Sequence, residues 1–285
     1  MRSVSLDTIT EVVAKTIEGS AEPRLKEILD ILVRHLHEIV KEAKLTHQEW
    51  EYAVDFLYRV GQMSDENRQE FILLSDILGV TSTVDLVNSD NNASESSVLG
   101  PFYVADPPDL PVGGDMIKGQ PGQSVLVEGM IRGADGEPLG GAVMDIWQNA
   151  DNGLYDVQEP DREGYNLRCR MVANGQGVYQ FTTVRPKPYT VPDDGPVGDL
   201  LRAAGRHPWR PAHLHLRISK DGYRELITEL FDSEDTYVDE DAVFGVRESL
   251  VCDYVETNDA DEATRYGLPN PYLKLVHNFT LAPKD

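Results

Sequence analysis

The chain is poor in cysteine and in positive charge. Cys169 and Cys252 are the only cysteines in 285 residues and lie far apart, so the fold cannot rest on a disulfide framework or a thiolate metal cluster. Two ordinary buried thiols in a reducing compartment are expected. Lys and Arg number 26 against 49 Asp and Glu, for a formal charge of −23. That excess repels phosphate backbones and anionic headgroups and argues against nucleic acid as a partner. No apolar run approaches the roughly 20 residues that span a bilayer, and residues 1–7 lack the charged-then-apolar pattern of a secretion signal. Together these absences predict a soluble, cytoplasmic protein. There is no His-Glu-x-x-His helix, no Asp-rich calcium loop and no internal repeat. The length allows one large or two modest domains with cores of their own.

Up to about residue 95 the apolar pattern is helical. Ser20-Ala21-Glu22-Pro23 reads as a cap with proline in the first turn, followed by Leu25, Ile28, Leu29, Leu32, Leu36, Ile39 and Val40 at helical spacing. Thr46-His47-Gln48-Glu49 is a capping-box pattern that opens a stripe of Trp50, Ala53, Val54, Leu57 and Val60. Ser64 or Asp65 is placed to cap a further segment through Phe71, Leu74, Ile77 and Leu78. Stripes this extended exceed what one helix needs against its own domain and predict a helical dimer interface. His35, His37 and His47 lack matching partners and are expected to face solvent or cap backbone.

From about Ser96, short β-like runs broken by Gly, Pro, Asn and Asp take over. Residues 124–132 alternate, 141–147 are apolar and strand-like, and Asn174-Gly175 signals a hairpin within 172–184. Asp221-Gly222 signals another hairpin before the run 223–231. Residues 186–208, rich in proline, read as the longest loop, and such loops in compact domains are usually functional. The expected class is α+β, with a helical dimerisation domain over residues 1–95 and a mainly antiparallel β domain, a sandwich or barrel, over 96–285.

Trp209-Arg210-Pro211-Ala212-His213-Leu214-His215-Leu216-Arg217-Ile218 stands apart from these runs. Leu214, Leu216 and Ile218 alternate as in a strand, with Pro211 tolerable at its start. His213 and His215 then point to one face, which can grip a metal. The same pattern also serves two histidines bonded to backbone or carboxylates. Two imidazoles leave a metal undercoordinated, and Tyr155, after Asp151-Asn152-Gly153-Leu154, and Tyr189, within Arg185-Pro186-Lys187-Pro188-Tyr189, are candidates to complete it. Among 12 tyrosines most fill the edge of a core, and spacing alone does not select these two.

Leu99-Gly100-Pro101-Phe102-Tyr103, Trp147-Gln148-Asn149-Ala150-Asp151-Asn152-Gly153-Leu154-Tyr155, Pro188-Tyr189 and Gly205-Arg206-His207-Pro208-Trp209 running on to His215 together resemble the intradiol ring-cleaving dioxygenases in order and spacing, over nearly the whole chain. The resemblance implies that Tyr155, Tyr189, His213 and His215 bind a non-haem Fe(III). It implies a catecholic substrate and O2 as small-molecule partners, and ring opening between two hydroxyl-bearing carbons. It also implies that the domain over residues 96–285 is a β-sandwich and the catalytic one. It implies a homodimer through the N-terminal helices, an interface that holds a lipid in relatives; the sequence leaves open whether this chain binds one. Phenolates are hard oxygen donors suited to a ferric ion; two of them with a bound hydroxide cancel its charge, so the site can be buried at little cost. Tyr189 is the implied departing ligand that accepts a substrate proton. Arg210, just before the histidines, is placed to stabilise negative charge on the substrate, although arginine so placed also serves in structural ion pairs. The family commonly carries Gln where Glu229 stands, so Glu229 is left out of the catalytic set.

Within the family, Asp241-Ala242-Val243-Phe244-Gly245-Val246 and the residues after Tyr189 look most like the enzymes that open hydroxyquinol, 1,2,4-trihydroxybenzene, to 3-hydroxy-cis,cis-muconate, the tautomer of maleylacetate. Enzymes acting on catechol or chlorocatechol share the metal motifs and are the alternative. The pocket residues implied by motif position are Leu73, Asp76, Val98, Gly100, Pro101, Phe102, Val191 and Pro192, together with Arg210. Asp76, flanked by Leu73, Leu74 and Ile77, needs a partner if buried, and a third ring hydroxyl can supply one. An exposed Asp on a helix surface is the other reading.

Overall fold

Three helices open the chain in the computed structural model, which describes residues 4–65, 68–159 and 164–284: α1 (Ile9–Ile17), α2 (Pro23–Ala43) and α3 (His47–Met63). Pro23 starts α2, where its missing N–H is no loss, and Lys44 ends it in the left-handed region at φ 52°. The capping box forms before α3: Glu49 N donates to Thr46 Oγ1 at 3.2 Å and Thr46 N to Glu49 Oε2 at 2.8 Å. Arg34 of α2 donates to Glu11 of α1 at 2.7 Å, and His37 Nδ1 meets Thr10 Oγ1 at 3.0 Å. His35 and His47 are exposed. None of the α2 residues is buried; Ile28, Leu32, Leu36 and Ile39, with Trp50, Val54 and Leu57 of α3, present their side chains outward.

The chain divides into two compact units, Met1–Arg59 and Val60–Asp285. The division falls inside α3, well before the change of texture at residue 96, because α4 (Glu70–Ile77) and α5 (Val80–Val87) are bonded to the β-rich part. Val197 N donates to Glu70 Oε1 at 3.1 Å, and Ser82 Oγ to Phe244 O at 2.8 Å. Ser64 does not open α4; its hydroxyl donates to Val60 O at 2.9 Å and closes α3 instead.

The strands follow: β1 (Gly114–Asp115), β2 (Ser124–Gly133), β3 (Val143–Trp147), β4 (Arg168–Val172), β5 (Val178–Val184), β6 (Tyr189–Thr190), β7 (Trp209–Arg210), β8 (His213–Ser219), β9 (Leu226–Asp232), β10 (Val251–Cys252), β11 (Val255–Thr257), β12 (Tyr272–Val276) and β13 (Phe279–Leu281). Helix α6 (Pro196–Ala203) lies between β6 and β7, and α7 (Ala260–Tyr266) between β11 and β12. One sheet runs β1-β5-β2-β12-β11 with β13 also on β2; the other runs β10-β9-β8-β3-β4. The long pairings β2–β5, β3–β8 and β8–β9 are antiparallel, while β12 and β13 join β2 in parallel. Val125, Val127, Phe181 and Leu275 of the first sheet share one buried cluster with Met144, Ile146, Leu216 and Leu230 of the second. That shared layer is the core of a β-sandwich.

Asp221-Gly222 joins the paired strands β8 and β9, as its turn chemistry predicts. Asn174-Gly175 does not make a hairpin: β4 pairs with β3 and β5 with β2, so this turn carries the chain from one sheet to the other. A turn reverses the chain, but the buried faces of the strands choose their partners. Residues 186–208 carry β6 and α6, the helix opening on Pro196, and so are not a structureless loop. Cys169 and Cys252 are free and buried. Among the described residues no helix is long and apolar enough to cross a membrane.

Candidate active site

Strand β8 is covered on both faces. Leu214, Leu216 and Ile218 enter the sandwich core, while His213 and His215 lie on the opposite face at 1% and 0% exposure. The Trp147 indole stacks on the His215 ring, with centroids 4.7 Å apart and planes at 4°. Phe102 stacks on Tyr155 at 4.5 Å, and both pack in one buried group with Trp147 and Tyr189. Gly100 makes room for this arrangement. Its φ is +71°, and a Cβ there would lie 3.2 Å from His215 Cε1.

A two-way side-chain bond brings the tyrosines together. Asn149, just after β3, donates from Nδ2 to Lys187 O at 2.7 Å and accepts from Lys187 N at 3.0 Å. The segment leading to Tyr155 is thereby tied to the one leading to Tyr189. Tyr189 pairs in turn with Arg210 across the β6–β7 ladder, which sets it beside the residues that begin β8. The Tyr155 and Tyr189 ring centroids are 5.4 Å apart, and those of Tyr189 and His213 5.5 Å.

His213 Nδ1 lies 2.7 Å from Pro211 O. Since a carbonyl only accepts, the ring proton sits on Nδ1 and Nε2 is bare. His213 Nε2 is 3.0 Å from His215 Nε2 and 3.2 Å from Tyr155 Oη. Donor atoms about 2.0–2.2 Å from one ion and at right angles to each other lie roughly 3 Å apart, so these separations suit a shared cation. Burial first, then Arg210, pulls His213 down to about 4. Burial and the neighbouring His213 depress His215 well below its usual range. Both rings are therefore neutral near pH 7, the state that ligates a metal. Burial pushes the Tyr155 phenol well up, with Tyr189 adding to it, and raises Tyr189 against the pull of Arg210. Two buried phenols and two neutral imidazoles thus converge where only an added cation would make the phenolates stable. This donor set fits a hard, highly charged ion.

Arg210, 2% exposed, is gripped by two carboxylates. Nη1 and Nη2 donate to Glu229 at 2.8 and 2.9 Å, and Nε and Nη2 to Asp241 at 3.0 and 3.1 Å. The other Nη1 hydrogen faces His213 Nε2 at 3.4 Å. The residue is thus a structural ion pair that also aims one N–H at the donor cluster. Burial alone would lower its pKa, but Asp241 and Glu229 raise it well above normal and keep it charged. Gly245 closes over the trio; a Cβ there would lie 2.8 Å from Arg210 Nη2.

Leu73, Asp76, Val98, Gly100, Pro101, Phe102, Val191 and Pro192 all line one pocket, together with Tyr189 and Arg210. Asp76 is 4% exposed and so is not a helix-surface residue. Thr81 Oγ1 donates to its Oδ1 at 2.5 Å, and Ser75 Oγ meets Thr81 Oγ1 at 2.8 Å. Burial raises the Asp76 carboxyl above its usual range, with Thr81 and Arg210 opposing. Sequence reasoning missed Thr81, the Glu229–Asp241 grip on Arg210, and the pocket residues Arg68, Glu70 and Val243. For Glu229 a signal existed: a carboxylate between Leu226 and Phe231 in an apolar strand demands a buried partner.

Among the described residues, His213, His215 and Glu229 form a group whose donor atoms all lie within 4.8 Å of one another. Glu229 is less suited to ligation than the tyrosines, because its oxygens already accept from Arg210 and from Ser97 Oγ, the latter at 2.5 Å.

Known proteins resemble this chain over most of its length. The profile of the family described as Dioxygenase matches residues 99–283, and that described as Catechol dioxygenase N terminus matches residues 22–96. The hydroxyquinol 1,2-dioxygenase of Rhizobium sp. is 48% identical over 95% of this chain and 94% of its own. The catechol 1,2-dioxygenase of Candida albicans is 38% identical over 89% of this chain and 86% of its own. The crystal structure of hydroxyquinol 1,2-dioxygenase from Pseudomonas putida superposes with a TM-score of 0.89 at 43% identity, covering 98% of this chain and 99% of that one. A helical start, a sandwich with two histidines on one strand face beside two buried tyrosines, and similarity of this depth leave one conclusion: the chain belongs to the intradiol ring-cleavage dioxygenases.

Proposed function

We propose that the protein is a hydroxyquinol 1,2-dioxygenase, which opens 1,2,4-trihydroxybenzene with O2 to 3-hydroxy-cis,cis-muconate, the tautomer of maleylacetate. The observation that carries the substrate is Asp76. It is a buried carboxylate in an apolar pocket with Thr81 on Oδ1, which leaves its other oxygen to accept a third ring hydroxyl. A site built to bond a hydroxyl discriminates strongly against the analogue that lacks it. The greater identity to the relative named for hydroxyquinol than to the one named for catechol supports the same substrate.

Tyr155, Tyr189, His213 and His215 would hold a non-haem Fe(III). The ion, when bound, supplies Lewis acidity that draws electron density from a catecholate and makes a ring carbon reactive towards O2. Tyr189 lines the pocket and is the phenolate that accepts a substrate proton. Arg210 offers its remaining N–H to negative charge growing on the substrate, held still so that little reorganisation is needed. Leu73, Val98, Phe102 and Val191 keep water from the ring.

The outward apolar face of α2 and α3 supports a homodimer through the N-terminal helices, with a lipid seated at that face. The acidic charge and the two free thiols are in keeping with a cytoplasmic enzyme. Oxygen uptake measured side by side with hydroxyquinol, catechol and chlorocatechols tests the substrate; a higher kcat/KM on catechol or a chlorocatechol removes the hydroxyquinol reading. Purified protein should be red from phenolate-to-iron charge transfer, and a colourless, iron-free preparation counts against the metal assignment.

A further inference from the structure

Glu229 is a charged side chain that is 0% exposed, on strand β9 directly across from His215. Its Oε1 lies 3.2 Å from His215 Nδ1. Yet Nδ1 is buried without a hydrogen bond, since the approach is off the line that a bond requires. The two imidazoles are therefore alike in one respect and unlike in another. Each turns Nε2 to the shared point, 3.0 Å apart, and Nδ1 to a fixed oxygen, Pro211 O for His213 and Glu229 Oε1 for His215. Only the first of these contacts is closed. Two bare Nε2 atoms at that distance repel unless a cation or a proton lies between them. With a cation there, the His215 proton must sit on Nδ1, where Glu229 is the acceptor within reach. A histidine that ligates a metal generally hands its other N–H to such an oxygen, which fixes the ring and strengthens the donor.

We propose that Glu229 is a positioning residue with two tasks: with Asp241 it fixes Arg210, and it accepts the Nδ1 proton of His215 so that both histidines present bare Nε2 atoms to the metal. This rests on the reading of the site as an iron centre. Because Arg210 carries one positive charge against the two carboxylates of Glu229 and Asp241, the trio leaves one negative charge beside the donors. That charge favours the ferric over the ferrous ion. The role differs from ligation, which the three hydrogen bonds to Glu229 from Arg210 and Ser97 oppose.

The test is Glu229→Gln in the full chain, a swap of equal size to a residue the family commonly carries here. The phenolate-to-iron band should move to longer wavelength. Preference for Fe(III) over Fe(II) should fall about tenfold, or ~59 mV for a one-electron couple. Asp241→Asn removes the same charge from the other side of Arg210 and should move the band less. In NMR spectra of the protein loaded with diamagnetic Ga(III) in place of iron, the His215 Nδ1 proton should appear far downfield, as a hydrogen bond to a carboxylate requires, and move upfield in Glu229→Gln. An unmoved band with unchanged ferric preference, equal shifts in the two variants, or a His215 Nδ1 proton at the same position in parent and variant would each overturn the proposal. Loss of the iron reading itself would instead show as parent protein without iron, and the imidazole spectra would still decide the role of Glu229.

Discussion

At the scale of single residues, the selectivity proposed for Asp76 would turn on a hydroxyl outside the pocket lining, that of Thr81. Thr81 holds Asp76 through Oδ1 and is itself bonded to Ser75. Thr81→Val keeps the shape but removes the donor, leaving a buried acceptor unpaired at about 1–3 kcal/mol. Asp76 should then turn or protonate. kcat/KM on hydroxyquinol is expected to fall roughly ten- to a hundredfold, with catechol turnover little changed. Asp76→Asn should shift the preference in the same direction. Parallel steady-state assays on the two substrates check both, and an unchanged ratio in either variant would dissociate the Asp76 carboxylate from substrate choice. The acidity of Asp76 was readable in the sequence and its apolar setting could be inferred. Thr81 could not, because a Thr near a helix start has many local uses and only the fold shows which one it has taken. The same holds for Arg210: its place before the histidines was legible, whereas its grip by Glu229 and Asp241 joins residues that no local pattern connects.

Elements show where sequence patterns reach and where they stop. The alternation of Leu214, Leu216 and Ile218 gave β8 and the shared face of His213 and His215, because period two is local; the capping box at Thr46 was legible for the same reason. The partner of β5 and the attachment of α4 and α5 to the β-rich unit were not, since both depend on contacts between distant segments. Tyr155 and Tyr189 were chosen by family resemblance, not by spacing. Their elements predict different behaviour. Tyr155 sits after β3, packed under Phe102, at 1% exposure, whereas Tyr189 lies on the two-residue strand β6 and lines the pocket. Tyr189→Phe should keep most of its iron yet lose substrate deprotonation, and Tyr155→Phe should lose iron. Iron content and stopped-flow substrate binding check this, and equal iron loss would end the asymmetry. Helix α5 carries a pH dependence through Asp85. Burial, opposed by Arg247, pushes its carboxyl up to about 6, and its Oδ2 is buried without a hydrogen bond. An unfolded Asp titrates near ~3.9, so between about pH 4 and 6 the native state binds more protons than the unfolded one. Stability contributed by this group is therefore greatest at low pH and falls as pH rises through that window. Asp85→Asn should reduce that decline and be more stable than the parent above pH 7, as read by urea unfolding at a series of pH values. An unaltered slope would show that Asp85 is not its source.

For the molecule as a whole, net charge and apolar surface pull association in opposite directions. A formal charge of −23 makes two copies repel, and at low ionic strength that repulsion extends over tens of ångströms. Against it stand Ile28, Leu32, Leu36 and Ile39 on a helix that buries none of its residues, with Trp50, Val54 and Leu57 on the next. So many large apolar side chains exposed on two neighbouring helices are rare on a soluble monomer. At about 25 cal/mol per Å2 of apolar area removed from water, a standard interface of roughly 1,600 Å2 offers far more than screened surface charges cost at physiological salt. The homodimer proposed here should therefore persist at 0.15 M salt and tighten as salt rises, the reverse of an interface held by opposite charges. Leu36→Glu combined with Ile39→Glu puts two further negative charges into that face and should give a monomer by sedimentation equilibrium. A parent protein that sediments as a monomer at every salt concentration would mean that the exposed stripe is covered by something other than a second copy.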